Sequence, residues 1–351
     1  MDGPQTQFLA ERLRRTGRLQ VLRCAMKWPW LVVALTLPLA PISAQVGVPA
    51  HQENRWVTLG TQGGPMPSAS RSQPANLLVN GERAYLVDVG DGTAGQLAKV
   101  GVAPNDLDAV FISHLHFDHT AGLAGILGLR WQTNAPNRLR IVGPPGTAAM
   151  VDGLAASMVP GTTAGYGVPG APQADLRNQF EVTEVRDGAS FELDGMTVRV
   201  RSNTHYSFAP GSDMAARFEA LSFRFDLPNR SIVYTGDTGP SRAVEELAEG
   251  ADLLVAEMMD VEFTIGKVGI NSANSVNVDP RVAAGIERHL REHHLLPSDV
   301  GELAARAGVK GVVVTHFVGE EAESPRHFEY LRQVGERYRG PVVIADDLDG
   351  F

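Results

Sequence analysis

The sequence predicts an α/β fold with two β-sheets between helical layers, and three observations carry this prediction. Short β-branched runs alternate with helical stretches through both halves of the chain, the order a layered α/β domain requires. The second half repeats the style of the first without a short repeat of the solenoid kind. Histidine and aspartate gather just past several of the strands, where α/β sheets place functional groups. With 351 residues, 43% hydrophobic and 20% charged, the chain can bury one large core.

Taken in order, Arg55–Leu59 reads as a strand closed by the turn-rich Gly60–Pro65. Asn76–Val79 and Ala84–Val89 read as two more, joined by the turn signal Asn80-Gly81. Gly95–Val100 predicts a short helix, Ala109–Ser113 an apolar strand, and Thr120–Leu129 a helix packed through Leu123, Ile126 and Leu127. Residues 158–172 are rich in Gly and Pro and predict an irregular loop, either a flap that lines a cleft with Trp131 or an inert surface segment. Strands follow at Thr197–Arg201, Leu221–Phe225, Ser231–Thr235 and Leu253–Ala256, with helices at Arg242–Ala248 and Val300–Ala307. Gly311–Thr315 and Pro341–Ala345 complete the strands.

Residues 1–44 stand apart. Arg12, Arg14, Arg15, Arg18, Arg23 and Lys27 form a basic lead, and no charged residue occurs from Trp28 to Gln52. Pro29, Pro38 and Pro41 interrupt the apolar run, and Ile42-Ser43-Ala44 offers small residues for cleavage. A secretory leader cleaved near Ala44 is expected, in preference to a permanent membrane tether. Met26 offers an alternative start, which would make residues 1–25 an extension. The mature part, 45–351, is expected as one domain, secreted or periplasmic. The one cysteine, Cys24, falls in the leader, so thiolate chemistry and disulfides are excluded from the mature chain. Loss of the leader removes four more positive than negative charges and deepens the net charge from −9 to −13. Tight nucleic-acid binding draws on basic patches, so this balance argues against a nucleic-acid partner.

The chemistry concentrates in His114-Leu-His116-Phe-Asp118-His119, four ligand-type side chains directly after a predicted strand. In extended backbone His114 and His116 point the same way, while Asp118 and His119 turn toward a point beside them. Imidazole and carboxylate suit zinc at about 2.0–2.2 Å. His205, Asp237 and His316 each follow a later strand and could complete a two-metal set.

The stretch Ser113–Leu123, with the later His205, the Gly236-Asp237-Thr238 element and Thr315-His316-Phe317, resembles the signature of the metallo-β-lactamase superfamily over nearly all of the mature chain. The resemblance implies a four-layered αβ/βα sandwich. It implies His114, His116 and His205 on one metal, Asp118, His119 and His316 on the other, and Asp237 bridging. Leu59–Pro65, Leu86–Gly90, Tyr234–Pro240 and Ala251–Glu257 are similar to the branch that holds ribonuclease Z and a group of zinc-dependent arylsulfatases. Asp88 then resembles an aspartate that orients the ligand loop, and His294 a histidine that donates a proton, unless His293 and His294 are plain surface residues. Two departures from ribonuclease Z stand out: Ala256-Glu257-Met258-Met259 lacks that family's histidine, and Tyr234 replaces its usual glutamate.

Expected, then, is an exported enzyme with two zinc ions (Mn2+ or Fe2+ as alternatives) that cleaves a small-molecule ester, a sulfate ester or phosphodiester first, by metal-activated hydroxide. Asp118 would orient the hydroxide and His294 would protonate the leaving group. Other readings are a tRNA 3′-endonuclease of the ribonuclease Z type, a lactonase, a β-lactamase-like hydrolase and, in another class, a mononuclear iron persulfide dioxygenase. Dimers are common among such enzymes, so a homodimer is admitted.

Overall fold

In the computed structural model, residues 54–169, 175–268, 279–322 and 324–351 are described. The expected leader, the alternative start and positions 170–172 of the expected loop lie outside them. All described residues fall within one unit, Val48–Phe351.

The first sheet is built from β1 (Asn54–Gly60), β2 (Ala75–Asn80), β3 (Arg83–Val89), β4 (Leu107–Phe111), β5 (Leu139–Gly143) and β6 (Phe180–Glu184). The second holds β7 (Ser190–Leu193), β8 (Met196–Ser202), β9 (Leu221–Leu227), β10 (Arg230–Tyr234), β11 (Leu253–Met259), β12 (Val312–Val318) and β13 (Val342–Ile344). The chain end, β14 (Asp349–Gly350), returns to pair antiparallel with β1 at the edge of the first sheet. Alternation of side chains decides the layering. Tyr85 and Val87 of β3, and Ala109 and Phe111 of β4, enter a core shared with Phe223, Phe225, Ile232 and Tyr234 of the second sheet. Their neighbours Ala84, Leu86 and Val110 face the opposite way, onto helices.

The helices are α1 (Thr93–Lys99), α2 (Phe117–Thr120), α3 (Leu123–Gln132), α4 (Thr147–Ala164), α5 (Asp213–Arg217), α6 (Arg242–Ala248), α7 (Val261–Val268), α8 (Pro280–Glu292), α9 (Pro297–Ala307) and α10 (Pro325–Arg337). α1, α3 and α4 cover the first sheet through Leu97, Ile126 and Val151. α6, α9 and α10 cover the second through Val244, Val300 and Val334. The result is the four-layered αβ/βα sandwich. Among the described residues no helix is long and apolar enough to cross a membrane.

Three local expectations need correction. Residues 158–164 are not irregular but continue α4, with Pro160 inside it. Met150, Leu154 and Met158, spaced four apart, pack on the first sheet's outer core, and this stripe carries the helix past the proline. That end of α4 and Trp131 line a groove shared with Gly125 and Gly128 of α3, away from the ligand-type residues. The helix expected at Thr120–Leu129 is two helices. Gly122 breaks it because its N–H donates to Val89 O at 2.9 Å, and a Cβ there would lie 2.2 Å from Gly90 O.

Candidate metal centre

The signature run owes its shape to a change of backbone. β4 ends at Phe111, and the Ser113 N–H leaves the ladder to donate to Asp88 Oδ1 at 2.7 Å. His116 is extended, at φ −66° and ψ 148°, and stands at the N-cap position of α2. The helical turn then swings Asp118 and His119 to a second direction. Asp88 anchors the whole loop. Fully buried at φ 60°, it accepts from the Ser113 hydroxyl and the Tyr234 hydroxyl at 2.7 Å and from His119 Nδ1 at 2.8 Å, all on Oδ2.

His205 follows β8, and Asp237 follows β10, as expected. His316 differs: it lies inside β12, at φ 42°, where the register against β11 shifts. A bulge re-aims the side chain here, so the strand does not have to end for the imidazole to reach the site.

The structure brings all seven residues together. His116 Nδ1 stands 3.1 Å from both His114 Nε2 and His205 Nε2. Asp118 Oδ2 stands 3.5 Å from His119 Nε2 and 3.4 Å from His316 Nε2. Asp237 lies between the two trios. Its Oδ1 is 3.3 Å from His119 Nε2, and its Oδ2 is 3.2 Å from His316 Nε2 and 3.9 Å from Nε2 of both His114 and His205. Zinc held tetrahedrally at about 2.1 Å sets donor separations of about 3.4 Å, so the donor spacings fit two ions. His119 Nε2 and Asp237 Oδ1 are buried and hydrogen-bond to nothing; unpaired polar atoms of this kind are costly unless something satisfies them. His119 Nδ1 donates to Asp88, and His205 Nδ1 faces the His293 carbonyl at 3.2 Å. Both leave the Nε2 lone pair aimed at the cluster. A Cβ on Gly64 would lie 1.8 Å from Asp118 Oδ2, which makes glycine the residue that lets the carboxylate sit there.

The electrostatics call for positive charge. Burial holds His114 and His205 well below the usual imidazole range. His119 and His316 are also buried, but Asp237 and Asp118 outweigh that and push both upward. Asp118 is drawn down to about 2, burial being outweighed by His119 and His316.

His294 is buried rather than a plain surface residue, and its Nδ1 meets Glu257 Oε2 at 2.8 Å. Glu257, itself buried, also accepts from the Thr238 N–H at 2.6 Å. Burial opposes protonation of His294, but the Glu257 carboxylate outweighs it and raises the imidazole. His294, His205, Asp237, His316, His116 and Asp118 share the wall of a cleft of about 540 Å³, completed by Phe117, Met259, Ile286 and Leu290. Sequence reasoning missed two residues here. Glu257 stood only as part of a broken motif, and its partner lies 37 positions away. His289 also lines the cleft; the signal was His289…His293-His294, three histidines in six residues.

Two sheets between helical layers, with a buried imidazole–carboxylate cluster suited to metal binding, are the arrangement a metal-dependent hydrolase requires. The chain belongs to the β-lactamase superfamily in its metallo-β-lactamase-fold form: the family described as the beta-lactamase superfamily domain matches residues 83–317. A ribonuclease Z of Mycobacterium sp. (strain KMS) is 34% identical over 299 residues, covering 83% of this chain and 94% of that one. The solved metallo-β-lactamase-fold protein YhfI from Bacillus subtilis shares the fold at TM-score 0.59 and 19% identity, over 85% of this chain and 98% of that one. Human tRNase Z, short form, does so at 0.56 and 22%, with the same coverage. These relatives overturn the expectation of a small-molecule ester and no nucleic acid, since the curated relative is a ribonuclease by name. The net charge misled because it averages the whole surface, whereas a phosphodiester needs positive charge only where it reacts.

Proposed function

We propose that this chain is a metal-dependent phosphodiester hydrolase acting on RNA, of the ribonuclease Z kind. The observation that carries it is two donor trios bridged by Asp237 beside a buried Glu257–His294 pair, in a chain aligned with ribonuclease Z over most of its length. His114, His116 and His205 would hold one divalent ion, and Asp118, His119 and His316 the other, with Asp237 shared. Bound there, two such ions would polarise a phosphoryl oxygen and acidify a water.

The chain's own residues supply the rest. Asp118 accepts a hydrogen bond from the attacking water and aims it. His294, its Nδ1 against Glu257 Oε2 at 2.8 Å, faces the same cleft and protonates the departing ribose oxygen from Nε2. Tyr234, which stands where ribonuclease Z usually has glutamate, donates to Asp88 instead, and Glu257 on β11 provides the carboxylate behind His294. Export by the 1–44 leader is part of the proposal and would bring the enzyme to RNA outside the cytoplasm.

The test uses a tRNA precursor with a 3′ extension and an aryl sulfate, each with zinc-reloaded and chelator-stripped protein. Zinc-dependent cutting of the RNA is expected. Failure to cut it, or a clear preference for the sulfate ester, would count against the proposal.

A further inference from the structure

His289 belongs neither to the seven clustered donors nor to the Glu257–His294 pair, yet it lines the same cleft. Its ring centroid lies 5.2 Å from that of His205 and 5.5 Å from that of His294. One nitrogen of each of the three rings comes within 4.8 Å of the others. Its Nδ1 is taken by Ser207 Oγ at 2.9 Å.

Apart from His294, the cleft is short of free side-chain donors among the described residues. No Lys or Arg lines it among the described residues. Thr264 Oγ1 already donates to Asp260 O at 2.7 Å, and Gln73 Nε2 is turned to Pro65 O at 3.4 Å. A phosphodiester carries an anionic, non-bridging oxygen pair that gains charge as the reaction proceeds, and hydrolases of this kind hold such oxygens with aimed donors. Neutral imidazole has one donor and one acceptor. The Ser207 hydroxyl can donate to Nδ1, and in that tautomer the proton of His289 stands on Nε2.

We propose that His289 is a substrate-contacting residue whose Nε2–H holds a non-bridging oxygen of the scissile phosphodiester, with Ser207 fixing the tautomer. The proposal rests on the ribonuclease function proposed above. It places a contact to the reacting phosphate on α8 and adds a neutral donor to a cleft that has no Lys or Arg among its described lining residues.

The experiment compares wild type, His289→Ala, His289→Gln and Ser207→Ala on an RNA whose scissile phosphate is all-oxygen or either phosphorothioate diastereomer, with zinc and with the thiophilic ion cadmium. A hydrogen bond to a charged group predicts that His289→Ala lowers kcat/KM roughly 10- to 150-fold. The amide of His289→Gln should recover part of this, and Ser207→Ala should lose less. One diastereomer should slow the wild type in a way cadmium does not relieve, and that penalty should vanish in His289→Ala. Metal content should be unchanged in all variants, and melting temperature in His289→Gln. Loss of a bound metal from His289→Ala, or equal slowing of all three substrates, would overturn the assignment while leaving ribonuclease activity standing. A wild type that cuts no RNA would overturn the ribonuclease function and this contact together.

Discussion

Asp88→Asn tests how the signature loop is held. Asp88 binds four donors while fully buried: the Ser113 N–H and hydroxyl, the Tyr234 hydroxyl and His119 Nδ1, at 2.7–2.8 Å. Removing all four acceptor contacts, as alanine would, costs about 1–3 kcal/mol for each orphaned donor. The sum approaches the whole stability of a domain, about 5–15 kcal/mol, so alanine would only unfold the site. Asparagine keeps the shape. The Ser113 N–H can only donate, so the amide oxygen must take the place of Oδ1, and the amide NH2 then faces the groups that met Oδ2. The NH2 has two hydrogens for these three groups, so at most one hydroxyl can turn and accept if His119 is also to be served, and otherwise the Nδ1–H of His119 is left facing a donor. His119 can accept only by moving its proton from Nδ1 to Nε2, and that places a hydrogen where a lone pair faced Asp118 and Asp237. Affinity for the metal at Asp118, His119 and His316 should fall roughly 10- to 100-fold, with the fold intact. Competition against a zinc-binding dye, beside a circular-dichroism melt, measures both. A folded Asp88→Asn protein that binds two zinc ions at wild-type affinity would refute the reasoning.

His294→Ala should slow cleavage of a bond with a ribose leaving group by about 10²–10⁴-fold and hardly affect one with a nitrophenolate; equal effects would remove His294 from the acid role. Glu257→Gln should show the same leaving-group pattern more weakly, because the imidazole stays in place but loses its carboxylate. Phe111→Ala removes a fully buried ring packed edge-on to Phe223 and Phe225 at 5.6 and 5.1 Å. Denaturant unfolding should show a loss of about 3–5 kcal/mol, and a loss under about 1 kcal/mol would contradict the shared core between the sheets. Amino-terminal sequencing of protein recovered from outside the cytoplasm should begin at Gln45, and a chain retained inside with residues 1–44 attached would contradict export.

The parts of the fold that were legible in the sequence are those whose burial has a simple period. Ala109-Val-Phe-Ile-Ser113 announced β4 because every residue there is apolar or small, and Arg242–Ala248 was read at its observed ends. β6 and β7 went unread because their exposed polar faces dilute the pattern, as in Phe180-Glu-Val-Thr-Glu184. α4 was hidden by Pro160 and Gly161, whose local preference is overridden by Met150, Leu154 and Met158 against the sheet. His114 to His119 were legible because their spacing is local, and His205 and Asp237 because they follow strands, whereas the bulge that holds His316 inside β12 was not. The carboxylate behind His294 was not, since it depends on how β11 lies against the loop before α9. The substrate class was misjudged from bulk charge, which says nothing of what a cleft binds.

The most direct measurement is a titration of chelator-stripped full-length protein with zinc, following cleavage of a labelled tRNA precursor and bound metal in the same samples. Cutting should rise with the first two equivalents and then level off, and His116→Ala and Asp237→Ala should bind less metal and cut nothing. Cleavage that persists in the stripped protein or in those variants, or its absence with both ions bound, would contradict a two-metal ribonuclease centre.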